Sequence, residues 1–272
     1  MSSLLDNQSR WDDYGLKQLM DIRKNPNRYI IANSPIGHWS FYDDLVTHLM
    51  PIQNRSILEL GCGLGHFSVY LSKLGGKITG IDVGEGIISA ARALAEVNQV
   101  DCEFHRCNIL DLPLDDGSYD VVLGISILHH LSKADVMSAL RETSRVLKPN
   151  GIAIFIEPVE NSKLFNTLQN LVPLGKPGAW GYRPSVLYRK EWKRYISALD
   201  DRDLTTQELR LAGSNFFSTT QIHAYGFLSR LQRLIGPKYR SMLISIDKFL
   251  FKYVPPLRFY SQMVLVKYCN YN

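Results

Sequence analysis

An α/β fold built on a parallel sheet is what this sequence predicts, and three observations predict it. Short apolar runs without polar alternation, as expected of strands buried on both faces, recur at 56–60, 77–81, 119–126 and 152–156, separated by stretches of helical period. Glycines at alternate positions, Gly61, Gly63 and Gly65, follow the first run and make a tight turn whose backbone has no side chains to keep a ligand away. The second run closes on Asp82, about twenty residues past the turn, where a carboxylate can accept hydrogen bonds from both hydroxyls of a ribose.

In chain order, residues 1–50 read as helical, with Leu16, Leu19, Met20 and Ile22 on one face and a break at Asn25-Pro26-Asn27. Ser56–Leu60 is the first strand, and helix period resumes from Gly65 through Phe67, Val69, Tyr70, Leu71 and Leu74 to Gly75-Gly76. Gly84-Glu85-Gly86 opens the next helix, and Cys102–Asn108 is the third strand. A turn at 112–117 precedes the fourth strand, Tyr119–Ser126. Ala134–Lys148 is an amphipathic helix ended by Lys148-Pro149-Asn150-Gly151, and Ile152–Ile156 is the fifth strand, with Glu157 at its end. From 159 to about 203 the sequence reads as irregular. Thr205-Thr206-Gln207-Glu208 then reads as a capping box, and 216–225 and 260–269 as two further strands.

Four blocks, ILELGCGLG (57–65), ITGIDVGEGII (78–88), FHRCNILDLPLDDGSYDVVLGISILHHL (104–131) and RVLKPNGIAIFIEP (145–158), resemble in order and spacing the class I S-adenosylmethionine (SAM)-dependent methyltransferases, in particular the group with small-molecule substrates. The resemblance covers 56–158 and implies a Rossmann-like, seven-stranded, mostly parallel sheet with an antiparallel last strand and helices on both faces. It also implies one domain over 1–272: an N-terminal helical lid at 1–55, a SAM-binding core at 56–158, and substrate-side insertions with the last two strands at 159–272. Trp11, Tyr14, Tyr29, His38 and Trp39 would be the ligand-facing aromatics of the lid, although aromatics at helical spacing more often pack. SAM is the implied cofactor. The residues that match the cofactor motifs are Glu59, Gly61, Cys62, Gly63, Gly65, Asp82, Val83, Asn108, Ile109 and Ser126. Asn108 stands where the family often has an acid, and an amide can both accept from and donate to adenine.

Methyl transfer needs an aligned acceptor and, for a hydroxyl or acidic carbon, a base. His129 and His130 at the end of the fourth strand are the adjacent residues able to act so near neutral pH, and Glu157 could orient one of them or bind a substrate donor. The second histidine of the pair recurs in relatives of different chemistry, so a structural role competes with catalysis. No third ligand is spaced with the pair, which argues against a metal. Asp120 reads as a turn and packing residue.

The glycine spacing is GxGxG rather than GxGxxG, which disfavours an NAD-dependent oxidoreductase. A nucleic-acid or protein methyltransferase is disfavoured because Asn-Pro-Pro-Tyr and any appended nucleic-acid module are absent. A non-catalytic SAM-binding protein is the remaining alternative. Cys62, Cys102, Cys107 and Cys269 show no CxxC spacing, which points to a reducing compartment, and the N-terminus has no signal-like apolar region, so a cytoplasmic location is expected. The sequence carries no signal for oligomeric state. The net charge of +5 is concentrated late: residues 221–272 hold eight Lys or Arg against Asp247 alone. Within the insert at 226–259, two successive amphipathic basic segments predict either ordinary packing or a lid with peripheral membrane contact that admits an apolar acceptor. The first has Phe227, Leu228, Leu231, Leu234 and Ile235 at helix spacing with Arg230 and Arg233 beside them, and the second has its apolar stripe at Met242, Leu243, Ile246, Phe249, Leu250 and Tyr253, with Ile244 and Phe251 off it.

Overall fold

A computed structural model describes residues 2–31, 40–171, 173, 183–197, 204–229 and 237–270. His38 and Trp39, and Arg230 through Ile235 of the first amphipathic segment, lie outside the described residues. The strands are β1 (Ser56–Leu60), β2 (Lys77–Asp82), β3 (Cys102–Arg106), β4 (Tyr119–Ile125), β5 (Leu147–Pro158), β6 (Thr219–Tyr225) and β7 (Met263–Cys269). They form one sheet in the order β3-β2-β1-β4-β5-β7-β6, in which β7 alone runs antiparallel to its neighbours. The chain winds outward from β1 to β3, then returns to lay β4 against the other side of β1. A crevice therefore opens at the carboxyl ends of β1 and β4, the position at which ligands bind in such sheets.

Successive residues alternate between the two faces of the sheet. Ile57, Val121, Ile154 and Leu265 pack with α2 (Ser40–Leu49) and α3 (His66–Lys73). Leu58, Val122, Phe155 and Val266 pack with α5 (Lys133–Val146) and α8 (Thr206–Gly213). Both faces are apolar because both are covered, which is why the strands read as continuous apolar runs. Thr205 caps α8 by accepting from Glu208 N at 3.1 Å, as the capping box predicted.

Three expectations need correction. The Lys148–Gly151 stretch lies within β5, which starts at Leu147: Tyr119 of β4 faces Leu147 while Val121 faces Ile152, so a bulge with Asn150 at φ +63° absorbs the extra residues. The region read as irregular contains α6 (Lys163–Gln169) and α7 (Arg189–Ser197). In α9 (Arg240–Tyr253) the buried residues are Leu243, Asp247 and Phe251, so the face differs from the predicted stripe.

The N-terminal helix α1 (Ser2–Lys24) crosses α4 (Glu85–Val97), with Ile22 in a cluster with Ile88 and Leu94. The crossing is close: a Cβ on Gly15 would stand 2.2 Å from the Gly86 carbonyl carbon. Asp12 accepts from Gly86 N at 3.0 Å and so satisfies a free donor of α4's first turn. Tyr29 hydrogen-bonds Asp21, which ties the following turn to α1. No helix among the described residues is long and apolar enough to cross a membrane.

Candidate functional site

The glycine turn between β1 and α3 sits at the crevice. Gly61, Gly63 and Gly65 have φ of +63°, +53° and +76°, a region that side-chain-bearing residues rarely enter. A Cβ on Gly61 would meet Ile127 at 2.6 Å and one on Gly65 would meet Phe104 at 2.8 Å, whereas Gly63 has no atom within 4 Å of that position. The Gly63 backbone is thus bare to a ligand, while its neighbours are closed by packing. Cys62 is buried beneath the turn, donating its N–H to Ile81 O at 2.9 Å and accepting from Gly65 N at 3.0 Å.

Two carboxylates lie beside this turn. Asp82 accepts from Gly63 N and Gly84 N, each at 3.1 Å, so it joins the glycine turn to the start of α4. Glu59 is 3% exposed and accepts from Ser68 Oγ of α3. Burial pushes the Glu59 carboxyl up to about 7, and the nearby Asp82 charge adds to the rise. Burial also raises Asp82, against hydrogen bonds from Gly84, Gly63 and Val83 that favour its charged form. Two desolvated acids at one turn make a site that a cationic ligand relieves. His66, the first residue of α3, is lowered to about 4 by burial and so adds no charge at neutral pH.

The adjoining wall is apolar and partly exposed. Val83 is 41% exposed beyond β2. Asn108 accepts from Leu110 N at 3.0 Å and so shapes the loop after β3, with Ile109 buried in the core beneath it. The predicted cofactor residues thus converge on one edge, although Glu59, Cys62 and Ile109 lie under the surface rather than on it.

At the end of β4 the backbone turns sharply. Ser126 takes φ +55°, a conformation that costs on the order of 1–3 kcal/mol for a non-glycine residue. Neighbouring bonds enforce it. Ser126 N donates to Ile156 O at 2.7 Å, and the fully buried Glu157 carboxylate accepts from Ile127 N at 2.9 Å and Leu128 N at 2.8 Å. The second Glu157 oxygen stands 2.8 Å from His129 Nδ1. With the proton on Nδ1, as a carboxylate partner requires, Nε2 carries the lone pair. His129 is buried, and His130 is exposed with its ring centroid 4.0 Å away. Glu157 therefore holds both the turn and the histidine. Ile127, which covers Gly61, and Asp12, which caps α4, were not foreseen from sequence, because their partners lie 66 and 74 residues away (127 − 61; 86 − 12). Asp120 accepts from Ser56 N at 2.8 Å and Lys148 Nζ at 3.0 Å, both away from this turn.

Residues 58–155 match the family model described as a methyltransferase domain. The chain is 28% identical over 197 residues to the ubiquinone biosynthesis O-methyltransferase of Ruegeria pomeroyi, covering 72% of this chain and 75% of the relative. It is 30% identical over 170 residues to the protein of the same name from Pelagibacter ubique, covering 61% and 67%. Matches to other relatives span 41% to 57% of their lengths. Among solved structures, phosphoethanolamine N-methyltransferase 2 of Haemonchus contortus in complex with S-adenosyl-L-methionine superposes with a TM-score of 0.57 at 15% identity, covering 88% of this chain and 54% of that one.

Proposed function

We propose that this chain, which belongs to the class I SAM-dependent methyltransferases, methylates an apolar, hydroxyl-bearing small molecule with His129 as general base. The residues at the glycine turn fit SAM: a bare Gly63 backbone, the Asp82 carboxylate for a ribose diol, an exposed Val83 for the adenine, and negative charge for the cationic methionine end. Bound SAM supplies an electrophilic methyl on a sulfonium leaving group.

The observation that carries the proposal is the buried Glu157–His129 pair at the end of β4. Glu157 fixes the imidazole in the tautomer with Nε2 basic and stabilises the imidazolium formed when Nε2 takes the acceptor's proton. The acceptor oxygen bonds the methyl carbon as the carbon–sulfur bond breaks, with that electron pair left on sulfur. His130, exposed beside the His129 ring, is assigned a lesser role. The names of the curated relatives support an O-linked, apolar acceptor.

The test is transfer of label from SAM to a panel of alkylated phenols and catechols. His129→Gln should lower turnover by about 10²- to 10⁴-fold, the usual worth of a positioned base, with SAM affinity within about twofold and His130→Gln retaining most activity. Full turnover in His129→Gln would remove the base and leave positioning alone to explain the rate.

A further inference from the structure

The segment between β6 and β7 leaves and rejoins the sheet at the edge that holds the glycine turn, since Tyr225 and Met263 pair level with Pro158 of β5. Within it, α9 is held by a narrow stripe. Leu243 and Phe251 are buried, and between them the Asp247 carboxylate, 4% exposed, accepts from Phe227 N, Leu228 N and Ser229 N at 3.0, 2.6 and 3.0 Å. Those three bonds fix which side of the helix faces inward.

The outward side is apolar. Met242, Ile246, Phe249 and Tyr253 recur at helical spacing and are 50%, 37%, 60% and 60% exposed. Single exposed apolar residues are ordinary, but a continuous row on one helix marks a contact surface. Its charge is mainly basic. Residues 237–262 hold Lys238, Arg240, Lys248, Lys252 and Arg258 against Asp247, which is buried and engaged with backbone donors. Lys248 pairs with Asp44 of α2 at 3.3 Å, so Lys238 and Lys252 are the cations offered to a headgroup surface. Lys252 Nζ lies 5.3 Å from the Tyr253 ring and Lys238 Nζ 4.8 Å from the Tyr239 ring, so cation and aromatic stand side by side, as at a headgroup boundary. The segment after β5 has the same character: Leu164 and Leu168 of α6 are 67% and 51% exposed, and Leu187 and Tyr188 lead into Arg189-Lys190.

We propose that α9 docks on an anionic lipid bilayer, with its apolar row at the boundary of headgroups and acyl chains and its lysines against anionic headgroups. Docking there brings the carboxyl edge of the sheet to the membrane, where an apolar acceptor partitions. The consequence for substrate supply rests on the apolar acceptor proposed above, while the docking itself does not. A protein partner could cover the apolar row, but the basic excess beside it, with Lys238 and Lys252 next to aromatic rings, is what a lipid surface of opposite charge selects.

Full-length protein is co-sedimented with phosphatidylcholine vesicles, with and without phosphatidylglycerol, at low and high salt. Binding should require phosphatidylglycerol and weaken about tenfold or more as salt rises. Phe249→Ser/Tyr253→Ser and Lys238→Glu/Lys252→Glu should each lose binding about tenfold or more, with SAM affinity by calorimetry unchanged to show that the fold is intact. No sedimentation of wild-type protein with anionic vesicles at low salt would overturn the proposal, as would equal binding to neutral vesicles or undiminished binding by both variants. Methyl transfer to a detergent-dispersed acceptor, assayed without vesicles, reports separately on the proposed reaction.

Discussion

Glu59 is the residue whose environment is least expected of a carboxylate. Its pKa rises from an ordinary 4.5 to about 7, so the folded protein holds a proton there that the unfolded chain has already lost. The stability linked to that proton is fully present below pH 4.5 and disappears as pH rises through 7. Glu59→Gln keeps an acceptor for Ser68 without the charge, so in the absence of ligand its Tm should exceed that of wild type by roughly 5 °C at pH 8 and approach it at pH 5. Thermal unfolding at the two pH values checks this, and the opposite order would mean that Glu59 is stabilised as an anion. Asp82 carries a different expectation because its two oxygens join the glycine turn to the start of α4. Asp82→Ala should weaken SAM binding by about 2 kcal/mol, near thirtyfold, in calorimetry, since a charged acceptor is lost. Asp82→Asn keeps one acceptor and should lose less. The place of Asp82 beside the glycine turn was legible in the sequence because it is set by a fixed spacing along one strand–helix–strand unit. The clamp made by Glu157 was not, because its partners are backbone N–H groups 28 to 30 residues away, which no side-chain pattern marks.

Elements whose two faces are both buried were read nearly to their ends, and elements with one exposed face were not. β1, β2 and β4 are mostly apolar, and Gly61 and Asp82 mark the ends of the first two, so local pattern alone located them. In α9 the apolar residues outnumber the positions that can be buried, and the inward face was chosen by Asp247, whose three backbone bonds compensate its burial. A scale that scores Asp as polar places that face outward, which is why Phe251 was set aside and Phe249 assigned to the stripe. α6 and α7 were missed for a related reason, since seven to nine residues with exposed leucines or dense charge give little periodicity. The crossing of α1 on α4 yields a prediction at this scale. A Cβ at Gly15 meets Gly86 backbone, which cannot rotate away as a side chain would. Gly15→Val should therefore push α1 off α4, lower stability by about 1–3 kcal/mol, and expose the first twenty or so residues to limited proteolysis. An unaltered digestion pattern would mean that the two helices separate without loss.

The whole molecule places two surfaces at one edge of one sheet. Gly61, Asp82 and Glu157 lie at the carboxyl ends of β1, β2 and β5, and the β6–β7 segment begins and ends at that edge because β7 runs antiparallel. The topology keeps these surfaces distinct: the glycine turn lies at the switch between β1 and β4, while α9 hangs from the far end beyond β7. Their ligands should therefore leave separate footprints in amide hydrogen exchange. SAM at about a hundred times its Kd should add about 2.7 kcal/mol of stability, seen as a global rise in Tm, with local slowing at 61–66, 82–86 and 126–130 and little at 240–253. Anionic vesicles should slow exchange at 240–253 and leave the glycine turn unchanged. If vesicles instead protect 61–66 while sparing 240–253, the lipid is entering the crevice at the glycine turn, and the basic helix is then a packing element with an apolar row that faces only water.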